Sequence, residues 1–163
     1  MFRRVILDDT DLEILESLKI NAREGVREIA RKINKPPSTI SSKIKRLESL
    51  GIIKRYVALV DHSKLGYRIN ALTLLQVDGA HIEEIEKKLA EEKCVRAVYD
   101  ITGEYDIAII TAFRDVSELD RFIKRILQNP YIKRSVTNII LRIAKETPNV
   151  EEDFRELLKS REE

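Results

Sequence analysis

The chain has 163 residues, a charged fraction of 36%, a hydrophobic fraction of 43% and a formal net charge of +2. This balance describes a globular protein rather than a disordered one, and the length admits one domain or two small ones. A single cysteine, Cys94, excludes an intramolecular disulfide framework and a multi-cysteine zinc site, and no stretch approaches the roughly 18 apolar residues of a transmembrane helix. The start, MFRRVILDDTDLEILESL, has no leader pattern, so the expectation is a soluble, cytoplasmic protein with no membrane partner.

The first predicted helix begins in DDTDLEILESL, with Asp8 and Asp9 as candidate N-caps and Leu12, Leu15 and Leu18 on one face. A second helix, VREIARKI, repeats the pattern through Val26, Ile29, Ala30 and Ile33. Asn34 falls at its end, where the left-handed backbone of a helix stop favours Asn after Gly. Pro36 and Pro37 lack backbone donors and fit no helix interior, yet Pro37 suits the first turn of a third helix. That helix packs Ile40, Ile44 and Leu47 inward and stops at Gly51. IIKRYVALVDHSKLGYRI then alternates and is rich in β-branched residues, which predicts a strand pair or wing and a linker ending near Gly66.

Charge is concentrated on these helices. Residues 17–56 hold eleven Lys or Arg against three acids, a local charge of +8, and the remainder sums to −6. Such asymmetry is the footprint of a polyanion-binding surface. Two short helices joined by a tight Asn-Lys-Pro-Pro break form a helix-turn-helix, whose second helix turns its outward face to the DNA major groove. The outward set is Ser38, Thr39, Ser41, Ser42, Lys43, Lys45 and Arg46. Short hydroxyls allow close approach, and cations reach guanine edges or phosphates. Ser38, Thr39, Ser42 and Lys43 are expected near bases, with Arg46 either reading or clamping. Lys35, Lys45, Lys54 and Arg55 are expected to neutralise phosphates.

The second half changes rhythm. Strand 69–77, helix 81–92, strand 95–102, turn 103–106, strand 107–113, helix 117–127 with Ser117 as N-cap, and strand 135–144 give the order β-α-β-β-α-β of a ferredoxin-like domain. The fold class is therefore α+β: a winged helix-turn-helix over residues 1–60, a linker over 61–68, and a ferredoxin-like domain over 69–148. The tail 149–163 is expected to form an amphipathic helix through Val150, Phe154, Leu157 and Leu158.

On LDDTDLEILESLKINAR, VREIARKINKPPSTISSKIKRLESLGIIKRYVALVD, and VYDITGEYDIAII ahead of KRSVTNIIL, the sequence resembles the Lrp/AsnC, or feast/famine, transcription regulators, archaeal members in particular. The resemblance covers about residues 7–146. It implies double-stranded DNA as partner and a C-terminal domain that dimerises and often senses amino acids, with dimers commonly forming tetramers or octamers. It also implies an effector pocket near the turn Gly103 to Asp106. Thr102 and Gly103 would offer backbone groups there and Asp106 a charge for an amino group, with Tyr99 and Glu104 close in sequence and Ser135 and Thr137 as lining. Taken without the family, TGEYD reads as a plain hairpin turn.

Catalytic signals are thin. There is no GxSxG and no Gly-rich phosphate loop, and His62 and His81 lack metal-ligand spacing. Cys94 reads as a small buried hydrophobe. The expectation is therefore no enzyme, no metal and no cofactor. Two alternatives share the plan: a sirohaem decarboxylase, which would need basic or His residues in the C-terminal domain, and a ligand-independent DNA-architectural protein.

Overall fold

The computed structural model describes residues 5–147. The chain divides into two compact units, one holding the N-terminal residues through Leu59 and the other Val60–Glu146. The predicted tail helix lies outside the described residues.

The N-terminal unit is built on three helices: α1 (Asp9–Ile20), α2 (Val26–Ile33) and α3 (Pro37–Ser49). Asp8 starts α1 through a reciprocal cap. Its carboxylate accepts from the Asp11 amide at 2.9 Å, and the Asp11 carboxylate accepts from the Asp8 amide at 3.1 Å. Asn34 ends α2 in the left-handed region at φ 55°, and Pro37 opens α3 at once, so the break predicted from Asn-Lys-Pro-Pro is present. Ile14, Ile29, Ala30, Ile40 and Leu47 form the core, with Leu15, Leu18, Val26, Ile33 and Ile44 packed around it. Ile14 lies outside the predicted Leu12–Leu15–Leu18 stripe, yet it is fully buried. Each such side chain contributes about 1.5–3 kcal/mol through removal from water.

The predicted strand pair after Gly51 does not form. Residues 54–61 carry no regular structure and are all exposed, and His62–Leu65 is a short 3-10 turn. Alternation alone makes no strand where no partner strand lies alongside.

The C-terminal unit has β1 (Ile69–Val77), α4 (Ile82–Ala90), β2 (Val95–Asp100), β3 (Ile107–Phe113), α5 (Val116–Ile126) and β4 (Ile132–Ile139). The sheet is antiparallel throughout in the order β2-β3-β1-β4, as the ferredoxin-like reading requires. β1 buries alternate residues, and Ala71, Leu75 and Val77 join Ile107, Ile109 and Phe113 under Ile85, Leu89, Leu119, Phe122 and Ile126 of the helices. The opposite side chains, Leu72, Leu74, Ile110 and Val136, share the open face by strand register and remain half-exposed.

Several predicted boundaries move, and two of the shifts have a clear local cause. The N-cap of α5 is Asp115, whose carboxylate accepts from the Glu118 amide at 2.8 Å, so Ser117 lies inside the helix. β4 starts and ends earlier than predicted because it ends with its partner. Ala71 pairs with Ile139, and the Ile140 amide donates to the Asn70 carbonyl at the start of β1.

Candidate nucleic-acid interface and effector turn

Helical spacing sorts the polar residues of α3 into two sets. Ser38, Ser42 and Lys45 lie on one exposed face at intervals of four and three. Ser42 Oγ donates to the Thr39 carbonyl at 2.9 Å, and Ser41 and Thr39 flank this face, half-buried. Lys35 precedes the helix and Lys54 and Arg55 follow it, all exposed. Among the described residues Lys45 has no ion-pair partner, so its charge is available to a ligand.

Lys43 and Arg46 belong to the second set: both pair with acids at the start of α1, Lys43 lying inward of its predicted position and Arg46 keeping a side chain 45% exposed. Lys43 Nζ contacts Asp8 Oδ2 at 2.5 Å and Asp11 Oδ1 at 3.0 Å, and its side chain is 19% exposed. The Arg46 guanidinium donates to Asp11 Oδ2 at 2.9 Å and to the Ile6 carbonyl at 3.0 Å. Asp11 itself is 1% exposed. Burial works against the charge on Lys43, but its hydrogen bonds to Asp8 and Asp11 outweigh it and raise the ammonium pKa. The same bond from Lys43 holds the Asp8 carboxyl below its ordinary value. Sequence reasoning used Asp8 only as a cap and missed Asp11. An acid one turn into an otherwise apolar inner face was the signal.

A second buried carboxylate supports the helix pair. Glu24, between α1 and α2, accepts from Ser17 Oγ at 2.5 Å and pairs with Lys32. These bonds, from Lys32 first and then Ser17, lower its pKa.

In the C-terminal unit the turn between β2 and β3 places Thr102, Gly103 and Glu104 at the surface, with Gly103 at φ 121°, where a side chain is strained. Asp106 is half-buried. Its Oδ2 accepts from the Val77 amide at 2.7 Å, next to the irregularity where β1 shifts register against β4. One of its oxygens is thus a structural acceptor, and among the described residues Oδ1 receives no hydrogen bond. Tyr99 lies opposite Ala108 and so on the open face, 54% exposed.

Ser135 and Thr137 do not join that face. They lie opposite Leu75 and Thr73, whose side chains point to the helices, and Thr137 Oγ1 sits 3.0 Å from Thr73 Oγ1. The residue that β4 does bring to the turn is Arg134, opposite Gln76. It donates to Glu104 at 2.8 Å, and its guanidinium lies 5.8 Å from the centre of the Tyr105 ring. The one-residue alternation of β4 was the available signal for this exchange.

Among the described residues, no three His, Cys, Asp or Glu gather as a metal group. His81 stacks on Tyr131 at a ring separation of 3.4 Å, and Cys94 is half-buried, its thiol pKa raised by burial.

The two units match two family models. Residues 7–54 match the winged helix-turn-helix DNA-binding model, and residues 70–150 match the Lrp/AsnC ligand binding domain. An uncharacterized HTH-type transcriptional regulator of Pyrococcus furiosus is 39% identical over 91% of this chain and 97% of its own length. The chain belongs to the Lrp/AsnC family. It is a transcriptional regulator that joins a helix-turn-helix to an Lrp/AsnC ligand-binding domain. Among solved Lrp/AsnC structures, AsnC of Escherichia coli superposes with a TM-score of 0.81 at 26% identity, covering 89% of this chain and 99% of its own. A Neisseria meningitidis regulator solved in complex with L-Met reaches 0.83 at 23% identity, covering 89% and 96%, a likeness of fold.

Proposed function

We propose that the protein binds operator DNA as a dimer or higher assembly and that a free amino acid tunes this binding. The observation that carries the DNA half is the exposed Ser38–Ser42–Lys45 face of α3. Thr39 and Ser41 flank it on the helix, and the exposed cations Lys35, Lys54 and Arg55 lie before and after the helix in the chain. Hydroxyls at the centre suit base edges, and cations at the rim suit phosphates. Two such readers, spaced about 34 Å apart, address successive turns of one groove. The open sheet face supports pairing of two copies. Leu72, Leu74, Ile110 and Val136 form an apolar surface there that a second ferredoxin-like unit would cover.

A zwitterionic ligand needs an anion for its ammonium, and a cation or backbone amides for its carboxylate. The turn Thr102–Asp106 supplies Asp106 and exposed amides, and Arg134 adds the cation. The L-Met complex of the Neisseria regulator supports this class of ligand for the shared fold. The enzyme alternative rested on the two-domain plan alone, and the Pyrococcus relative is named as a transcriptional regulator.

Selection of bound DNA from a random pool, with and without each of the amino acids, tests the whole reading. A pseudo-palindromic consensus whose recovery changes with one amino acid is the expected result. Asp106→Asn is the sharper variant for the effector, because its amide oxygen still accepts from the Val77 amide while the charge is gone. Loss of the amino-acid response with the assembly intact is expected. An unchanged response would move the ligand away from this turn.

A further inference from the structure

Lys43 and Arg46 look like DNA contacts in sequence, and their geometry makes them something else. Asp11 is 1% exposed and takes Lys43 on one oxygen and Arg46 on the other, while Asp8 takes Lys43 as well. Two carboxylates and two cations cancel, so the cluster adds no net attraction for a polyanion. If either cation swung out to a phosphate, the buried Asp11 carboxylate would lose one of its two cationic partners, and stripping charge compensation from a buried carboxylate is unfavourable. The Ile6 carbonyl further fixes the Arg46 guanidinium at the start of α1.

We infer that Lys43 and Arg46 are positioning residues: with Asp8 and Asp11 they lock α3 against α1 at the angle needed to read DNA, and they touch neither bases nor phosphates. Ser38, Ser42 and Lys45 are left as the reading face. The arrangement explains how a helix carrying three cations within one turn can still discriminate sequence. Two of its charges are spent internally, and the sequence-independent part of the attraction is reduced accordingly. Specificity, the ratio of correct to incorrect binding, gains from that reduction. This inference rests on the DNA-binding reading above.

The test compares salt dependence and base preference among variants of the full chain, on the consensus DNA selected with the wild type. Each phosphate contact contributes a slope of about −0.9 in log K against log salt. Lys45→Met is expected to lose about 0.9 of that slope per bound protomer, or to relax preference at one base position. Lys43→Met is expected to keep both the slope and the base preference, and to weaken all sequences by one common factor. Lys43→Arg, which still reaches Asp11, restores that factor. Asp11→Asn removes an anion beside the DNA face, so simple electrostatics predicts tighter binding; locking predicts affinity lower by about tenfold.

A Lys43→Met protein that loses about 0.9 in slope, or changes its preferred bases, overturns the inference. So does an Asp11→Asn protein that binds as tightly as the wild type or more tightly. Affinities are compared where circular dichroism shows each variant folded; if Asp11→Asn does not fold, the slopes of Lys43→Met and Lys45→Met decide. Wild-type protein that selects no DNA would bring down the functional reading and this inference together, whereas a failed Lys43 result leaves the functional reading standing.

Discussion

In the helical unit five residues form the core cluster, and two carboxylates, Asp11 and Glu24, are buried beside them. In the sheet unit the core cluster has twelve residues, and its buried polar groups are the hydroxyls of Thr73 and Thr111. The difference lies in how each unit fixes its elements. A four-stranded sheet sets register through its backbone bonds and needs side chains only to fill space. Among the described residues the three short helices share no backbone hydrogen bonds, so side-chain contacts alone set their angles. Charged bonds from Lys43, Arg46 and Lys32 to buried acids supply the missing direction.

Equal damage to the two units is the largest way to test this. Ile14→Ala and Ile109→Ala each empty a site with no exposure, and each should cost about 2–5 kcal/mol. Calorimetry should show the helical unit losing its own unfolding transition in Ile14→Ala, while Ile109→Ala only lowers the transition of the larger unit. Asn34 comes next. Its left-handed backbone should make Asn34→Ala cost about 1–2 kcal/mol and leave Asn34→Gly near neutral in urea titration. A smaller effect is expected from Thr73→Val, which takes away the partner of the Thr137 hydroxyl and should lower sheet-unit stability by about 1 kcal/mol.

The smallest effect is that of pH. Lys43 holds the Asp8 carboxyl below its reference value of 3.8, so the stability gained is fully present above that pH. It is lost as the pH falls through the lower native value. Melting of the helical unit should therefore fall on acidification below about pH 4, and Asp8→Asn should remove that part of the dependence. Since the Asp8 side chain is 61% exposed, water screens the pair and the shift is modest.

The sequence was most legible where residue type and local geometry coincide. Asn34, Pro37 and Asp8 were placed by backbone chemistry that needs no tertiary knowledge, and β1 and β3 by their apolar runs. It was least legible where a partner decides. YVALV and LRIA have strand patterning, yet neither is a strand, because β1 offers no residue beyond Ile69 to LRIA and no strand lies beside YVALV among the described residues. The ion pairs of Lys43 and Arg46 were missed for a related reason. Counting charge from residue 17 left out Asp8 and Asp11, so cations already matched across 32 or 35 positions were read as free. Ser135 and Thr137 were proposed from their place in the chain, but the period of two puts Arg134 on the face that meets the turn.

The exposed, irregular segment 54–61 has a practical consequence. Proteases act on backbone that is open to solvent and free of regular hydrogen bonds, and Lys54 and Arg55 present the side chains that trypsin selects. A brief digestion should nick the chain there first and release the helix-turn-helix unit from the sheet unit. Each half keeps its own core, so both fragments should stay folded. The reader alone should then bind a half-site with the weak affinity of a single contact, and the gap between cut and uncut protein measures how much of operator binding is owed to tethering.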